Sequence, residues 1–183
     1  LGKIVVDTNL KAGMITIHMF FAFILVALLL LAIYRADEKK KSLVVDSVTR
    51  NMLLSVALIT LIQVVLGTQV REFVDRQIDV LGYQSKALWL SETPLKFYIH
   101  SSFSIVIVLL NLYLLNRLLK VDRGYSKPWG VLVLIMLSVV TGIAMYYFDF
   151  PITTQPLHLV FAALLFGCQF YMVLETKRSN KSL

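Results

Sequence analysis

Three side chains in this sequence could do metal or redox chemistry. They are His18, His100 and His158, the only histidines in 183 residues. Each sits near the start of a long apolar stretch, and ionisable groups inside such stretches are rare and mark function by default. Two imidazoles on facing helices can hold a haem iron from both sides within a bundle. Zinc would ask for more ligands, and no Cys, Asp or Glu lies at the same depth. The alternative is structural: an interfacial histidine, or one that hydrogen-bonds a neighbouring helix. The single cysteine, Cys168, lies inside an apolar helix, can form no intrachain disulfide, and reads as a small buried hydrophobe.

The elements that carry these residues follow from composition. The chain is 58% hydrophobic and 16% charged, with its charges clustered. A water-soluble core has no use for so much apolar surface, so the chain reads as an integral membrane protein. About 20 residues at ~1.5 Å each cross the hydrocarbon core. Five stretches qualify: A, Gly13 to Tyr34; B, Met52 to Val70; C, Leu95 to Leu119; D, Trp129 to Phe148; E, Gln155 to Leu174. The fold class expected is all-α, a polytopic transmembrane helix bundle. Pro94 and Pro156 suit first helical turns, with Thr93 and Thr154 as caps. The only long connection, Glu72 to Pro94, carries Val80, Leu81, Tyr83, Leu88 and Trp89, and reads either as an outer-face segment resting on the membrane or lidding the bundle, or as an ordinary interfacial loop.

Lysine and arginine set the orientation. Twelve of the eighteen fall in the A–B loop, the C–D loop and the C-terminal tail, among them Arg35, Lys39, Lys40, Lys41, Arg50, Arg117, Lys120, Lys127, Lys177, Arg178 and Lys181. By the positive-inside rule the tail faces the cytoplasm. The net charge of +7 is therefore a topology signal and no sign of nucleic-acid binding. The lipid bilayer is the first partner expected. With this topology A, C and E run the same way, and the three histidines fall at similar depth near the outer face. Eleven residues beyond His100 is Asn111, and eleven beyond His158 is Gln169. Eleven residues is close to three turns, so each lies on its histidine's face roughly 16 Å deeper, placed to hydrogen-bond across the interior. Gly67 and Gly142 in B and D could supply steric room for a flat cofactor, or could serve close helix packing.

The chain also echoes itself. Gly2 to His18 and Gly142 to His158 span sixteen residues each, and a shift of 140 also pairs Phe21 with Phe161 and Ala22 with Ala162. Leu66, Gly67 and Val70 repeat Leu1, Gly2 and Val5. Such repeats point to duplicated halves with equivalent sites. Helix A then matches E, and counterparts of B and C are expected upstream of Leu1. The expected division is 1–34, a remnant of an N-terminal half; 35–50, a cytoplasmic linker; and 51–183, a four-helix haem-binding half duplicated in the full-length protein.

The sequence resembles the haem A synthase family of cytochrome oxidase assembly, in its C-terminal five of eight transmembrane helices. The matching stretches are Leu1 to Leu10 leading to His18; Gln63-Val64-Val65-Leu66-Gly67-Thr68-Gln69-Val70-Arg71-Glu72; Tyr98-Ile99-His100; and Gln155-Pro156-Leu157-His158. The resemblance implies an oxidoreductase that converts a methyl group of haem O to the formyl group of haem A. It implies that His100 and His158 are axial ligands of a bis-histidine haem b, and that His18 is a ligand at the substrate-haem site. It implies no catalytic residue within this fragment, which is then inactive alone. Arg71, at the outer end of B, is a candidate propionate contact, or a residue snorkelling to the interface. Where the family often has arginine after the histidine of helix C, this chain has Ser101, and the B–C loop lacks the cysteine pair many members carry. Haem O synthase and the cytochrome oxidase assembly machinery are the partners implied. The location implied is the cell inner (cytoplasmic) membrane, with the mitochondrial inner membrane as second choice. A bis-histidine b-type cytochrome of electron transfer is the alternative function, and a transporter or scaffold with structural histidines a third.

Overall fold

The computed structural model describes residues 2–3, 13–39 and 42–178. Residues 4–10 of the repeat and of the family match, with Leu1, Lys11, Lys40, Lys41 and Lys181, lie outside the described residues. Five helices are long and apolar enough to cross a membrane: α1 (Met14–Ala36), α2 (Ser47–Leu81), α3 (Leu95–Val121), α4 (Lys127–Tyr147) and α5 (Thr154–Glu175). These are the five expected spans, and the protein is an all-α multi-pass membrane bundle.

Short connections make sequential helices antiparallel neighbours. Helix α2 packs on α3, α3 on α4, α4 on α5, and α5 back on α2, which closes a four-helix ring. Helix α1 packs outside that ring against α2 and α5. Consequently α3 and α5, the carriers of His100 and His158, lie diagonally across the interior.

Helix α2 departs from expectation. It was read as ending at Val70 but runs to Leu81, 35 residues in all. That is about 52 Å of helix against a hydrocarbon core of about 30 Å, so its last turns project beyond the membrane. Between Arg71 and Leu81 there is charge but no helix breaker. Arg71 and Asp75 form an i,i+4 ion pair at 2.5 Å, and the helix stops only at Gly82, which takes a positive φ of 78°. A 3-10 turn, Tyr83–Leu88, follows. Trp89 then turns inward and is buried, donating its indole N–H to the Gly82 carbonyl at 3.2 Å and packing on Phe150 of the α4–α5 connection. Of the two readings of this connection, the buried tryptophan favours the lid. The cap expectations also shift by a residue. Pro94 and Thr153 stand before α3 and α5, and the Thr93 hydroxyl pairs with the Tyr98 hydroxyl at 3.0 Å.

The apolar core fills the half of the ring farther from the histidines. Leu53 and Val56 early in α2, Leu114 and Leu118 late in α3, Val131 and Ile135 early in α4, and Leu165 and Met172 in α5 form one buried cluster. That end is closed by a feature the sequence did not announce. Within the stretch read as a linker, β1 (Leu43–Val45) pairs in parallel with β2 (Thr176–Arg178), Leu43 opposite Thr176. An isolated strand pair is marginal in water. Here Val45 and Thr176 are both buried, and the Arg50 guanidinium donates to the Thr176 carbonyl at 3.2 Å. Beside it, Arg117 donates to Thr49 at 2.8 Å and is ion-paired with Asp46 at 2.8 Å. The hydrogen bond from Thr49, with the Arg117 charge, holds the Asp46 carboxyl below its usual range.

Glu175 anchors the same end. It is 4% exposed, accepting from the Tyr125 hydroxyl at 2.8 Å and pairing with Lys127 at 2.6 Å. Glu175→Ala would strand a buried hydroxyl and a half-exposed ammonium. It is expected to cost about 1–3 kcal/mol, and Tyr125→Phe about 1 kcal/mol, read as thermal unfolding in detergent. Equal stability of the wild type and Glu175→Ala would mean that this end is held by the strands alone.

Candidate functional site

Each histidine occupies the second turn of its helix, on the side where α1, α3 and α5 begin. The ring geometry brings two of them together. The imidazoles of His100 and His158 face each other with centroids 6.3 Å apart and planes at 62°. His18 lies on α1, outside the four-helix ring. Among the described residues no group of three or more His, Cys, Asp or Glu could hold a metal ion. The available chemistry is therefore that of a facing imidazole pair.

Each imidazole is seated on a glycine of another segment. A Cβ at Gly67 of α2 would lie 3.1 Å from Cε1 of His100, and a Cβ at Gly142 of α4 would lie 3.5 Å from Cε1 of His158. The third histidine repeats the arrangement, with a Cβ at Gly2 3.7 Å from Cε1 of His18. The sixteen-residue echo in sequence is thus one contact made at both ends of the chain, and Leu66-Gly67 makes it again. The glycines were read as making room for a cofactor or for close helix packing; what they admit here is the imidazole itself.

The two rings differ in what orients them. Nδ1 of His158 lies 2.8 Å from the Ser138 carbonyl and 3.1 Å from the Thr141 hydroxyl. A carbonyl only accepts, so Nδ1 carries the proton and donates, which leaves Nε2 with its lone pair free. The Thr141 hydroxyl donates to the Leu137 and Ser138 carbonyls, both at 2.9 Å. It can therefore act as acceptor toward His158. This is the arrangement metal-binding histidines use to fix tautomer and orientation. Nδ1 of His100 is buried with no hydrogen-bond partner among the described residues. The His100 backbone carbonyl, by contrast, accepts from Nε2 of Gln63 at 2.7 Å.

Deeper in the interior, the Gln169 amide donates to Oδ1 of Asn111 at 3.2 Å, and Asn111 donates to the Ile107 carbonyl at 2.7 Å. This is the cross-bundle pair that the eleven-residue spacing anticipated. Both residues are buried, so the pair fixes the register of α3 against α5 below the imidazoles. Arg71 stands at the projecting end of α2, ion-paired to Asp75 with 36% of its side chain exposed. Next to it, Glu72 accepts from the Gly13 N–H at 2.6 Å and from Thr16 at 3.3 Å, tying the start of α1 to α2. Ser101 donates back to the Phe97 and Tyr98 carbonyls of its own helix.

Sequence reasoning did not single out Ser138, Thr141 or Gln63 as partners of the histidines. The available signal was a polar residue inside an otherwise apolar span. At Ser138 that signal points to the hydroxyl, whereas the atom that counts is the backbone carbonyl.

The sequence model of one family, described as cytochrome oxidase assembly protein (COX15-CtaA), matches residues 1–170. No curated protein and no solved structure matches the chain. The family match covers all three histidines, both members of the facing pair among them. The chain belongs to the COX15-CtaA family of cytochrome oxidase assembly proteins, the haem A synthase family whose stretches it resembles.

Proposed function

We propose that this protein is an oxidoreductase of haem A biosynthesis, acting on the methyl group of haem O, and that His100 and His158 are the axial ligands of a b-type haem inside the α2–α5 ring. The observation that carries this is the facing imidazole pair. Two imidazole–metal bonds of about 2.0–2.1 Å, together with the ring radii, span about 6 Å, against a centroid separation of 6.3 Å. The residues fit the group in other respects. His158 has its Nδ1 proton committed to Ser138, so Nε2 keeps a free lone pair for a metal. The surrounding walls are apolar, and the core residues crowd the opposite half of the ring. A bound haem would supply one-electron transfer across the bundle.

The chain's own residues do the holding. Gly67 and Gly142 let the rings lie close against α2 and α4, and the Asn111–Gln169 pair keeps α3 and α5 in register. We assign His18 as a ligand to the substrate haem, held apart from the pair by its place on α1, and no catalytic group to any other residue. Arg71 would meet a haem carboxylate by exchanging its Asp75 partner. The cell inner membrane, with the C-terminus cytoplasmic, is the location proposed from the lysine and arginine distribution. Haem O synthase and the oxidase assembly machinery are the partners proposed.

A reduced-minus-oxidised spectrum of the purified protein tests the haem, and conversion of added haem O by the full-length protein tests the reaction. A b-type difference spectrum from this chain is expected, and formation of haem A from the full-length protein. A haem signal without conversion would leave a bis-histidine electron-transfer cytochrome, and no haem signal would end both readings.

A further inference from the structure

We infer that a cleft at the end of the bundle opposite the histidines seats the headgroup of an anionic phospholipid. The inference stands apart from the haem reading. Arg117, which lines the cleft, is seventeen residues from His100 on the same helix, roughly 25 Å along it.

The cleft has a volume of about 360 Å³ and lies between the start of α2 and the last turns of α3. Asp46 and Thr49 line it from one side, and Tyr113, Asn116, Arg117 and Lys120 from the other. The four α3 residues stand at i, i+3, i+4 and i+7, on one stripe of the helix. An unpaired Asp46 carboxylate would repel a phosphate, but both its oxygens are engaged, Oδ1 by the Thr49 hydroxyl and Oδ2 by Arg117 at 2.8 Å. Arg117 is fixed by these contacts without being exhausted. It gives Nε–H to Thr49 at 2.8 Å, one N–H of Nη2 to Asp46, and one N–H of Nη1 to the Tyr113 hydroxyl at 3.0 Å. A guanidinium has five N–H donors, so one remains on each Nη. Lys120 is exposed, with no partner among the described residues. Asn116 gives one amide N–H to the Leu112 carbonyl at 3.2 Å and keeps the other. With Asp46 set against Arg117, Lys120 leaves the cleft one positive charge in excess. A guanidinium, an ammonium and an amide are the donors that a phosphate takes.

The same stripe says why the phosphate belongs to a lipid. Helix α3 has 27 residues, about 40 Å of helix against a hydrocarbon core of about 30 Å, so its last turns reach the headgroup layer. Arg35, Arg50, Arg123 and Lys127 collect at this end too. One and two turns back from Tyr113 the stripe continues as Leu109 and Ile105, 60% and 61% exposed. Polar donors at headgroup level, with bare aliphatic side chains next to them along the helix, match an amphiphile: phosphate in the cleft, acyl chains on Leu109 and Ile105. A soluble phosphate has no use for the second part. Basic pockets between transmembrane helices on the cytoplasmic side are places where anionic headgroups bind.

The test uses the full chain purified in neutral detergent. It is titrated with short-chain phosphatidylglycerol, with phosphatidylcholine of the same chain length and with inorganic phosphate. Wild type should bind phosphatidylglycerol about fivefold more tightly than phosphatidylcholine. Lys120→Glu should bring the two lipids within about twofold of each other. Arg123→Glu makes the same change of charge on the same side of the membrane, outside the cleft, and should keep the preference. Equal loss in these two variants would reduce the effect to the general attraction of a basic surface and overturn the inference. Inorganic phosphate that binds as tightly as phosphatidylglycerol, with the same dependence on Lys120, would make the ligand a soluble phosphate and overturn the lipid assignment. Wild type with no preference between the lipids would also overturn it. If Lys120→Glu fails to fold, Lys120→Gln, which removes the charge alone, decides.

Discussion

His100→Ala and His158→Ala are each expected to abolish retention of a b-type haem through purification, whereas His18→Ala should leave the haem-to-protein ratio within about twofold of wild type. On the proposed reading the two ring histidines act as a pair: with one imidazole gone, the iron would keep one protein ligand and lose the restraint from the other side of the bundle. His158→Ala should cost the fold little, because the buried apolar cluster lies in the other half of the ring. The bonds lost are those to Ser138 and Thr141, worth about 1–2 kcal/mol together. His18 stands on α1, outside the ring, on a glycine seat of its own. Haem content by pyridine haemochrome, set beside the melting temperature of each variant, reads both effects at once. Equal haem loss from all three variants would show that His18 shares the site, and the assignment of His100 with His158 would fall.

How much of this was legible beforehand depends on the range of the interaction. Span direction and residue number together give depth, and depth put all three histidines level; the internal repeat then paired His100 with His158 and set His18 apart. The Asn111–Gln169 bond followed from the same arithmetic, since eleven residues return to the same face. The glycines were legible as positions but not as contacts. Nothing in Leu66-Gly67 says that an imidazole from α3 rests on it, because that depends on which helices are neighbours in the ring. The long α2 was misread because Glu72, Asp75, Arg76 and Asp79 look like a loop when membrane burial is the criterion. Charge ends a span but does not end a helix, and the helix continued until Gly82. The β1–β2 clasp was invisible for another reason. Two three-residue strands more than 130 residues apart carry no periodic signal, and their pairing is created by the ring that brings the start of α2 and the end of α5 together. Trp89 lay between two readings, and its burial against Phe150 was decided by a contact between two loops.

The glycine seats make the sharpest separation between stability and function. Gly67→Ala should strengthen the bundle and weaken the site. In a helix interior alanine is favoured over glycine by roughly 0.5–1 kcal/mol, so both Gly67→Ala and Gly142→Ala gain on that account. Their effects on the histidines diverge. At Gly142 the added carbon meets Cε1 of His158 at 3.5 Å, an ordinary contact, and that ring is further held by two hydrogen bonds through Nδ1. At Gly67 it meets Cε1 of His100 at 3.1 Å, closer than such atoms normally approach, and among the described residues no hydrogen bond to Nδ1 holds that ring in position. A rigid imidazole cannot absorb the difference by bending, so His100 must rotate or α3 must draw back by a few tenths of an ångström. Either motion changes the placement of the His100 ring against that of His158. Haem affinity is expected to fall about tenfold or more in Gly67→Ala, the range seen when groups supporting a metal ligand are disturbed, and by less than about threefold in Gly142→Ala. Titration of haem into each purified variant, with melting curves alongside, measures the split. If the two alanine variants lose affinity equally, close approach to the imidazole is not what these glycines provide. Their role would then be packing between helices, and the site would owe its geometry to the Asn111–Gln169 register alone.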